Sequence, residues 1–164
     1  YELDRGTVLT VVNSADTVNL NNVSVEGWHE EEPLVLFDQA TVNATNLNVR
    51  SSYRQDDTPE LGELVENGVV EIRDGAQVTM TDSSVEGNTY WYHLIKITSN
   101  SGQSDPTNFT LAGAGQLFLG DSDGRTCDII LEDSSGEDRE CVDYDATLGD
   151  IECSCTRDAC ECAQ

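Results

Sequence analysis

Apolar and polar residues alternate over short stretches along most of the chain. The pattern is clear in Val18 and Leu20, and again in Val78 and Met80, where polar residues separate the apolar ones. Because successive side chains of a strand point to opposite faces, this predicts strands of about five residues with one buried face. No stretch of helical length carries a sustained apolar stripe of helical period, so we expect very little helix.

The alternating pattern is also repeated along the chain. Residues 17–27 align with residues 41–51 at an offset of 24, and these align with residues 77–87 at a further offset of 36. The polar stretch 53–63 accounts for the longer second offset as a loop between repeats. A second short apolar pair precedes each copy, and turn-forming Asn, Asp, Gly and Ser recur between the strands. The pairs are Val11 and Val12, Leu34 and Leu36, and Val70 and Ile72.

The repeat continues beyond these three copies. A fourth begins at Leu94, Ile95 and Ile97 and returns at Phe109 and Leu111, and we expect Leu117 and Leu119 to start a fifth. One repeat cannot bury its own apolar face, but stacked repeats bury equivalent side chains in a continuous core. The sequence therefore predicts an all-β fold of stacked coils.

The stretch from Gly68 to Asn88 resembles one coil of the right-handed parallel β-helix (pectate-lyase-like) superfamily, which includes pectin-degrading enzymes and many surface proteins. The resemblance covers about residues 7–120. It implies a short solenoid of about five coils, of a non-catalytic surface-protein type. The alternative is a β-sandwich, which short alternating strands also suit, although a sandwich gives no reason for matched offsets.

The charge of the chain narrows its partners. It has 32 acidic and 8 basic residues, a net charge of -24, and Lys96 is its only lysine. Repulsion disfavours nucleic acid and anionic membrane surfaces as partners. The sequence also has no apolar run long enough to cross a bilayer, so we expect no membrane insertion.

All the cysteines lie near the end of the sequence, and they indicate an oxidising compartment. An even, clustered set predicts disulfides, whereas a zinc site would need a ligand spacing that these cysteines lack. We expect a solenoid domain over 1–120 and an acidic, cysteine-rich segment over 121–164 that forms no sizeable apolar core. The pairing stays open. The cysteines are Cys127, Cys141, Cys153, Cys155, Cys160 and Cys162.

Three sequons, at Asn22, Asn43 and Asn108, predict N-glycosylation, and with the cysteines they favour a secreted protein at the extracellular surface. Trp28 and Trp91 follow equivalent Glu-Gly corners, and each lies close to a histidine. They are candidates for stacking on sugar rings, and packing between coils is the alternative.

Asp121 and Asp123 have the alternating carboxylates that calcium prefers, although they lack the remaining ligands of a calcium loop, and a solvated acidic loop is the alternative. No other cofactor is expected. Because no catalytic constellation stands out, we predict a non-enzymatic structural glycoprotein, a subunit of an extracellular filament, appendage or cell-surface coat. Its partners would be further copies, other extracellular subunits and covalent glycans. The alternative is a carbohydrate-binding or carbohydrate-cleaving module.

Overall fold

The computed structural model describes residues 7–27, 32–51, 65–87, 91–98, 107–113, 116–119, 129–132, 138–142, 152–155 and 159–163. These residues form strands and turns without any helix, as predicted. The strands are β1 (Leu9–Val12), β2 (Val18–Gly27), β3 (Val35–Asp38), β4 (Thr41–Ser51), β5 (Val65–Arg73), β6 (Gln77–Thr81), β7 (Ser84–Gly87), β8 (Trp91–Thr98), β9 (Asn108–Ala112), β10 (Gln116–Leu119), β11 (Ile129–Glu132), β12 (Asp138–Val142), β13 (Glu152–Cys155) and β14 (Cys160–Ala163).

The strands form two sheets. Sheet A has the order β1-β3-β5-β8-β11-β12, and all its pairs are parallel except β11 with β12. Sheet B has the order β10-β7-β4-β6-β9-β13-β14, with β2 beside β4. Its pairs are parallel up to β9, and β13 and β14 are added antiparallel.

The predicted repeat offsets are confirmed by the pairing of the strands. Val18 lies beside Val42, 24 residues away, and Val42 lies beside Val78, a further 36 residues away. The same inward position is filled by Phe109 in β9. The additional 12 residues before the third copy therefore leave the register of sheet B unchanged.

Two of the predicted apolar pairs do not coincide with the core-facing pairs of sheet A. In β3 the core-facing pair is Val35 and Phe37, both fully buried, whereas Leu36 is partly exposed. In β1 Val12 is 41% exposed. Both stretches are apolar at consecutive positions, so the sequence alone leaves their phase open, and the register with Val70 and Ile72 fixes it.

The strand at Leu117 and Leu119 does not begin a fifth repeat. It is β10, and its Leu117 lies beside Val85 of β7, so this strand completes the fourth repeat. The next parallel strand along sheet A is β11, where Ile129 lies beside Ile95.

One hydrophobic core fills the space between the strands, and it includes part of the cysteine-rich segment. Ile129 and Leu131 of β11 and Cys153 and Cys155 of β13 are all buried in it. The expectation that residues 121–164 form no sizeable apolar core of their own is compatible with this, because these residues join the core of the preceding repeats. Their inward positions continue those of Ile97 and Phe109 in the preceding repeat.

Polar residues with positive φ form the corners at equivalent places in successive repeats. Asn13, Gln39 and Asp74 follow β1, β3 and β5 with φ of 50°, 49° and 54°, and these positions correspond in register. A second series runs through Asn22, Asn46, Asp82 and Gly113. Gly113 has φ of 78°, which side chains rarely adopt, and a Cβ there would also displace the carboxylate of Asp82, so glycine is favoured at this corner. The prediction of recurring turn residues is confirmed.

Candidate functional site: an uncharged asparagine and threonine face

The outward side chains of β2, β4, β6 and β9 form a regular polar surface on sheet B. Three rows cross the strands in register, with no shift between neighbouring strands in this part of the sheet. We call this surface the Asn/Thr face. Its rows are Thr41, Gln77 and Asn108; Asn19, Asn43, Thr79 and Thr110; and Asn21, Thr45, Thr81 and Ala112.

The Asn/Thr face has no charged residue, although the chain as a whole is highly charged. Aspartate, glutamate, lysine and arginine make up 24% of the sequence. The residues of β2 and β4 on the face are exposed, and so is Thr79, so solvation alone would favour charges at these positions. The absence of charge is therefore a property of this face rather than of the protein surface in general.

Side-chain hydrogen bonds between neighbouring strands hold parts of the face in place. Asn43 Nδ2 donates to Asn19 Oδ1 at 3.5 Å, and Asn108 Nδ2 donates to Gln77 Oε1 at 2.6 Å. At the adjoining corner, Asn46 Nδ2 donates to Asn22 Oδ1 at 2.9 Å. The threonines have a branched Cβ, which restricts them to few rotamers on a strand. Hydrogen bonding thus orders some of the amide side chains of the face before any ligand arrives.

The three predicted N-glycosylation sites lie on this face or at its corner. Asn43 is exposed in the middle of the face, Asn22 is exposed at the corner, and Asn108 is partly buried at an edge. Two of the sequons join outward residues of one strand, Asn43 with Thr45 and Asn108 with Thr110. Alternation of Asn and Thr on an outward face produces this spacing by itself, so the sequons alone do not indicate a modification.

The outer surface of sheet A differs from the Asn/Thr face because charged side chains lie together on it. Asp38 lies beside Arg73, and Glu71 lies beside Lys96, on adjacent parallel strands. Arg73 Nη2 is 3.3 Å from Glu71 Oε2, and Glu71 is only 6% exposed. Among the described residues, the buried atoms Asp38 Oδ1 and Arg73 Nε have no hydrogen-bond partner. The burial of Glu71 suits a stabilising ion pair better than a site open to substrate.

A third outward surface lies beyond the corner, on the second halves of β2 and β4 and on β7. Glu26, Arg50 and Glu86 occupy one row there. Arg50 Nε is 3.5 Å from Glu86 Oε2, and both side chains are substantially exposed. Charges therefore return immediately beside the Asn/Thr face. Ser24 shares this surface and is exposed.

The cysteines are placed by the strands that close sheet B. Cys153 and Cys155 of β13 are buried and disulfide-bonded, and no described cysteine is free. Opposite them in the antiparallel register lie Cys162 and Cys160 of β14. Cys141 lies in β12, and Cys127 is outside the described residues.

The remaining candidate residues are not brought together by the described structure. Trp28, Asp121 and Asp123 lie outside the described residues, and Trp91 is placed only as the first residue of β8. The described part of the chain contains no group of three or more potential metal ligands. Sugar stacking and calcium binding therefore stay predictions.

Sequence reasoning missed the Asn/Thr face, although its signal is present in the sequence. The alternation of apolar and polar positions predicts strands. The face depends in addition on which polar residues occupy equivalent positions in successive repeats. Asn43 and Thr79, for example, are 36 residues apart and share one row.

The part of the chain that the structure describes contains no helix that could span a membrane. Comparison with known proteins gave no relative from which function could be transferred: no family, no curated protein and no solved structure matches this chain. Its function must be inferred from its own residues.

Proposed function

We propose that this chain is a non-enzymatic, secreted structural glycoprotein, a subunit of an extracellular filament, appendage or coat. The architecture in this proposal is a short right-handed β-solenoid with a C-terminal disulfide-bonded segment. Parallel strands recurring in register support stacked coils, and crossovers between parallel strands are right-handed in nearly all proteins. The cysteines support an extracellular setting.

The observation that carries the proposal is the first edge of the two sheets. In the described structure β1 pairs only with β3, and β2 pairs only with β4. Their core-side residues Leu9, Val11, Val18, Leu20 and Val23 are only partly buried, whereas their counterparts in the next repeat, such as Val42 and Leu47, are fully buried. Unpaired strand edges with accessible apolar side chains favour addition of another chain.

The opposite edge of the sheets offers a different surface. Sheet A ends at β12 and one branch of sheet B ends at β14, both antiparallel to their neighbours, while the other branch of sheet B ends at β10, which is parallel to β7. Contacts between two unlike ends are heterologous, and they generate open arrays when the rotation between copies does not close a ring. This supports a polymer or coat more than a closed dimer.

Electron microscopy of native material recovered without denaturant tests the proposal. We expect regular filaments or sheets whose repeat equals the length of one stacked unit. Because each copy has a net charge of -24, assembly should increase with salt, which screens repulsion between copies. Dispersed single particles at every salt concentration would contradict the proposal.

A matched pair of variants locates the contact. Val12→Lys places a charge on the edge strand β1, where Val12 is already 41% exposed, and it should abolish assembly without unfolding the protein. Thr79→Lys makes the same change in charge at an exposed position of β6, in the middle of sheet B and away from both of its ends, and should leave assembly intact. Equal effects of the two variants would show that the first edge is not the contact.

The alternative function, a carbohydrate-binding or carbohydrate-cleaving module, has one observation in its favour. Acidic and basic side chains adjoin in the group formed by Asp38, Glu71, Arg73 and Lys96. Release of unsaturated or reducing sugars from a polysaccharide panel, abolished by Asp38→Asn, would support cleavage. Binding to the same panel that Trp91→Ala weakens would support a binding module.

A further inference from the structure

The Asn/Thr face repeats at fixed intervals in two directions. Paired strands lie about 4.8 Å apart, and outward residues of one strand are about 6.7 Å apart. Asn19, Asn43, Thr79 and Thr110 form a row of four polar residues, and Ser154 of β13 extends it with another exposed, uncharged side chain. The next position in that row is Glu161 of β14. The face is thus a small two-dimensional lattice of hydroxyl and amide groups that ends where charge returns.

The lack of charge on this lattice indicates what it can bind. A nucleic acid, a charged mineral or a charged protein is recognised through opposite charges, and the face has none to offer. A neutral face suits an uncharged surface. An acidic face would have to lose the water bound to its charged groups on contact, at considerable cost. The ligand that fits this face is therefore neutral and repeats at an interval close to the spacing of its strands.

The size and composition of the face disfavour two other ligands, a second copy of the chain and a sugar. From the strand spacing its area is roughly 300 Å², while a stable protein interface covers about 800 Å² on each partner. A second copy bound through this face alone would therefore be unstable. None of its residues is aromatic, so the face presents no ring to stack on the apolar side of a sugar.

We propose that the Asn/Thr face binds ice. The surface of ice is a neutral lattice of hydrogen-bond donors and acceptors, and one oxygen repeat of hexagonal ice is slightly shorter than the spacing between paired strands. Hydroxyl and amide groups held at this interval place their bound water molecules close to lattice positions.

Rigidity of the face supports this assignment. A side chain that must be ordered on binding loses conformational entropy, which weakens adsorption. Here the hydrogen bond from Asn108 to Gln77 at 2.6 Å orders two of the amide side chains, and a longer contact of 3.5 Å joins Asn43 to Asn19. The buried partners behind the face, such as Val42, Val78 and Phe109, hold the backbone of the strands in place.

Ice binding goes beyond the proposed structural role and is separable from it. A glycan on Asn43 or on Asn108 would stand on the face and prevent contact with a flat crystal, whereas Asn22 lies at the corner outside the three rows. The inference therefore requires Asn43 and Asn108 to be unmodified in the native protein, and it does not require assembly into filaments. Intact-mass and peptide analysis of native protein reads the state of both residues directly.

The test is ice recrystallisation inhibition combined with partition of the protein into slowly growing ice. We expect the wild-type protein to be enriched in the ice and to keep ice grains small. Thr79→Glu introduces a charge at the exposed centre of the face and should abolish both effects. Ser24→Glu, which adds the same charge at an exposed position on the neighbouring charged surface, should retain both. Thermal unfolding confirms that each variant is folded.

Several results would overturn the inference. Folded wild-type protein that is excluded from ice would do so, as would equal behaviour of Thr79→Glu and Ser24→Glu. A glycan on Asn43 or on Asn108 would exclude the proposed contact. Adsorption to cellulose or chitin without any effect on ice would show that the neutral ligand is a polysaccharide. Each of these outcomes leaves the assembly of filaments to be decided separately by microscopy.

Discussion

The strands up to β10 and the strands from β11 onward share the same two sheets, but neighbouring strands are joined differently. In the first region every pair is parallel, and equivalent apolar residues such as Val42, Val78 and Phe109 lie beside one another. In the second region antiparallel pairs predominate, and cysteines occupy the inward positions of β13. Repetition therefore organises the first region, while covalent cross-links contribute to the second.

The largest expected effect comes from removing a core aromatic ring in the first region. Phe37 is fully buried between Val11 and Ile72. Phe37→Ala should lower the free energy of unfolding by about 3–5 kcal/mol, because it loses buried surface and leaves a cavity. Denaturant unfolding should give the same loss with and without reductant. If the loss of stability changes with reductant, the stability of the first region depends on the disulfides of the second.

Reduction of the disulfides should act mainly on the second region. In the antiparallel register Cys153 lies opposite Cys162 and Cys155 lies opposite Cys160, so we expect these two pairs, with Cys127 bonded to Cys141. Each disulfide should contribute about 2–4 kcal/mol. Hydrogen exchange should then increase in β11 to β14 more than in β3 to β6.

Non-reducing peptide mapping checks the pairing independently of stability. Detection of a peptide that joins Cys153 to Cys141 would show that the register does not determine the pairing. Uniform acceleration of exchange throughout the chain on reduction would show that both regions unfold as one unit.

A smaller effect should follow from removing a buried hydroxyl group between repeats. Ser83 Oγ accepts a hydrogen bond from Leu47 N at 3.0 Å and donates one to the carbonyl oxygen of Thr81 at 2.9 Å. Ser83→Ala leaves the amide of Leu47 without this partner, which should cost about 1–3 kcal/mol. Ser14→Ala is the control, because the hydroxyl of Ser14 bonds to the carbonyl oxygen of Asp16 at an exposed turn. Thermal unfolding should separate the two variants.

The smallest effect concerns a corner residue. Asn46 has φ of 54° and donates a side-chain hydrogen bond to Asn22. Asn46→Ala loses the bond and places a Cβ-bearing residue without local hydrogen bonding in this conformation, so we expect a loss of about 1–2 kcal/mol. Asn46→Gly keeps the backbone conformation favourable and should lose less. If both variants lose the same free energy of unfolding, the side-chain hydrogen bond of Asn46 contributes more to stability than its backbone conformation does.

The sequence predicted the strands and the repeat well, because both depend on periodicity that is visible in the chain. The offsets of 24 and 36 residues relating Val18, Val42 and Val78 are reproduced in the pairing of the strands. The sequence left open which residues of β3 face the core, because Leu34, Val35, Leu36 and Phe37 are all apolar and alternation gives no phase. The prediction that β10 begins a fifth repeat was wrong, because the order of strands in the sequence does not reveal which earlier strand a new strand pairs with.

The candidate site could be predicted less well than the fold. Asn43 and Asn108 were identified through a three-residue motif, whereas their common surface depends on rows that cross distant parts of the chain. The sequence also left every pairing of the cysteines open, since the antiparallel return of β14 is set by tertiary structure. Residues such as Trp28 and Asp121 lie outside the described residues, and their predicted roles are untested.

The unequal spacing of the repeats has a consequence for how such a protein can change. Although the third copy comes 12 residues later than the first interval would place it, Ala44 still lies beside Met80 as Leu20 lies beside Ala44. Connections between repeats can therefore gain or lose residues without altering which side chains meet in the core. Evolution, or a protein engineer, can graft new peptides between β4 and β5 while the rows on sheet B keep their order.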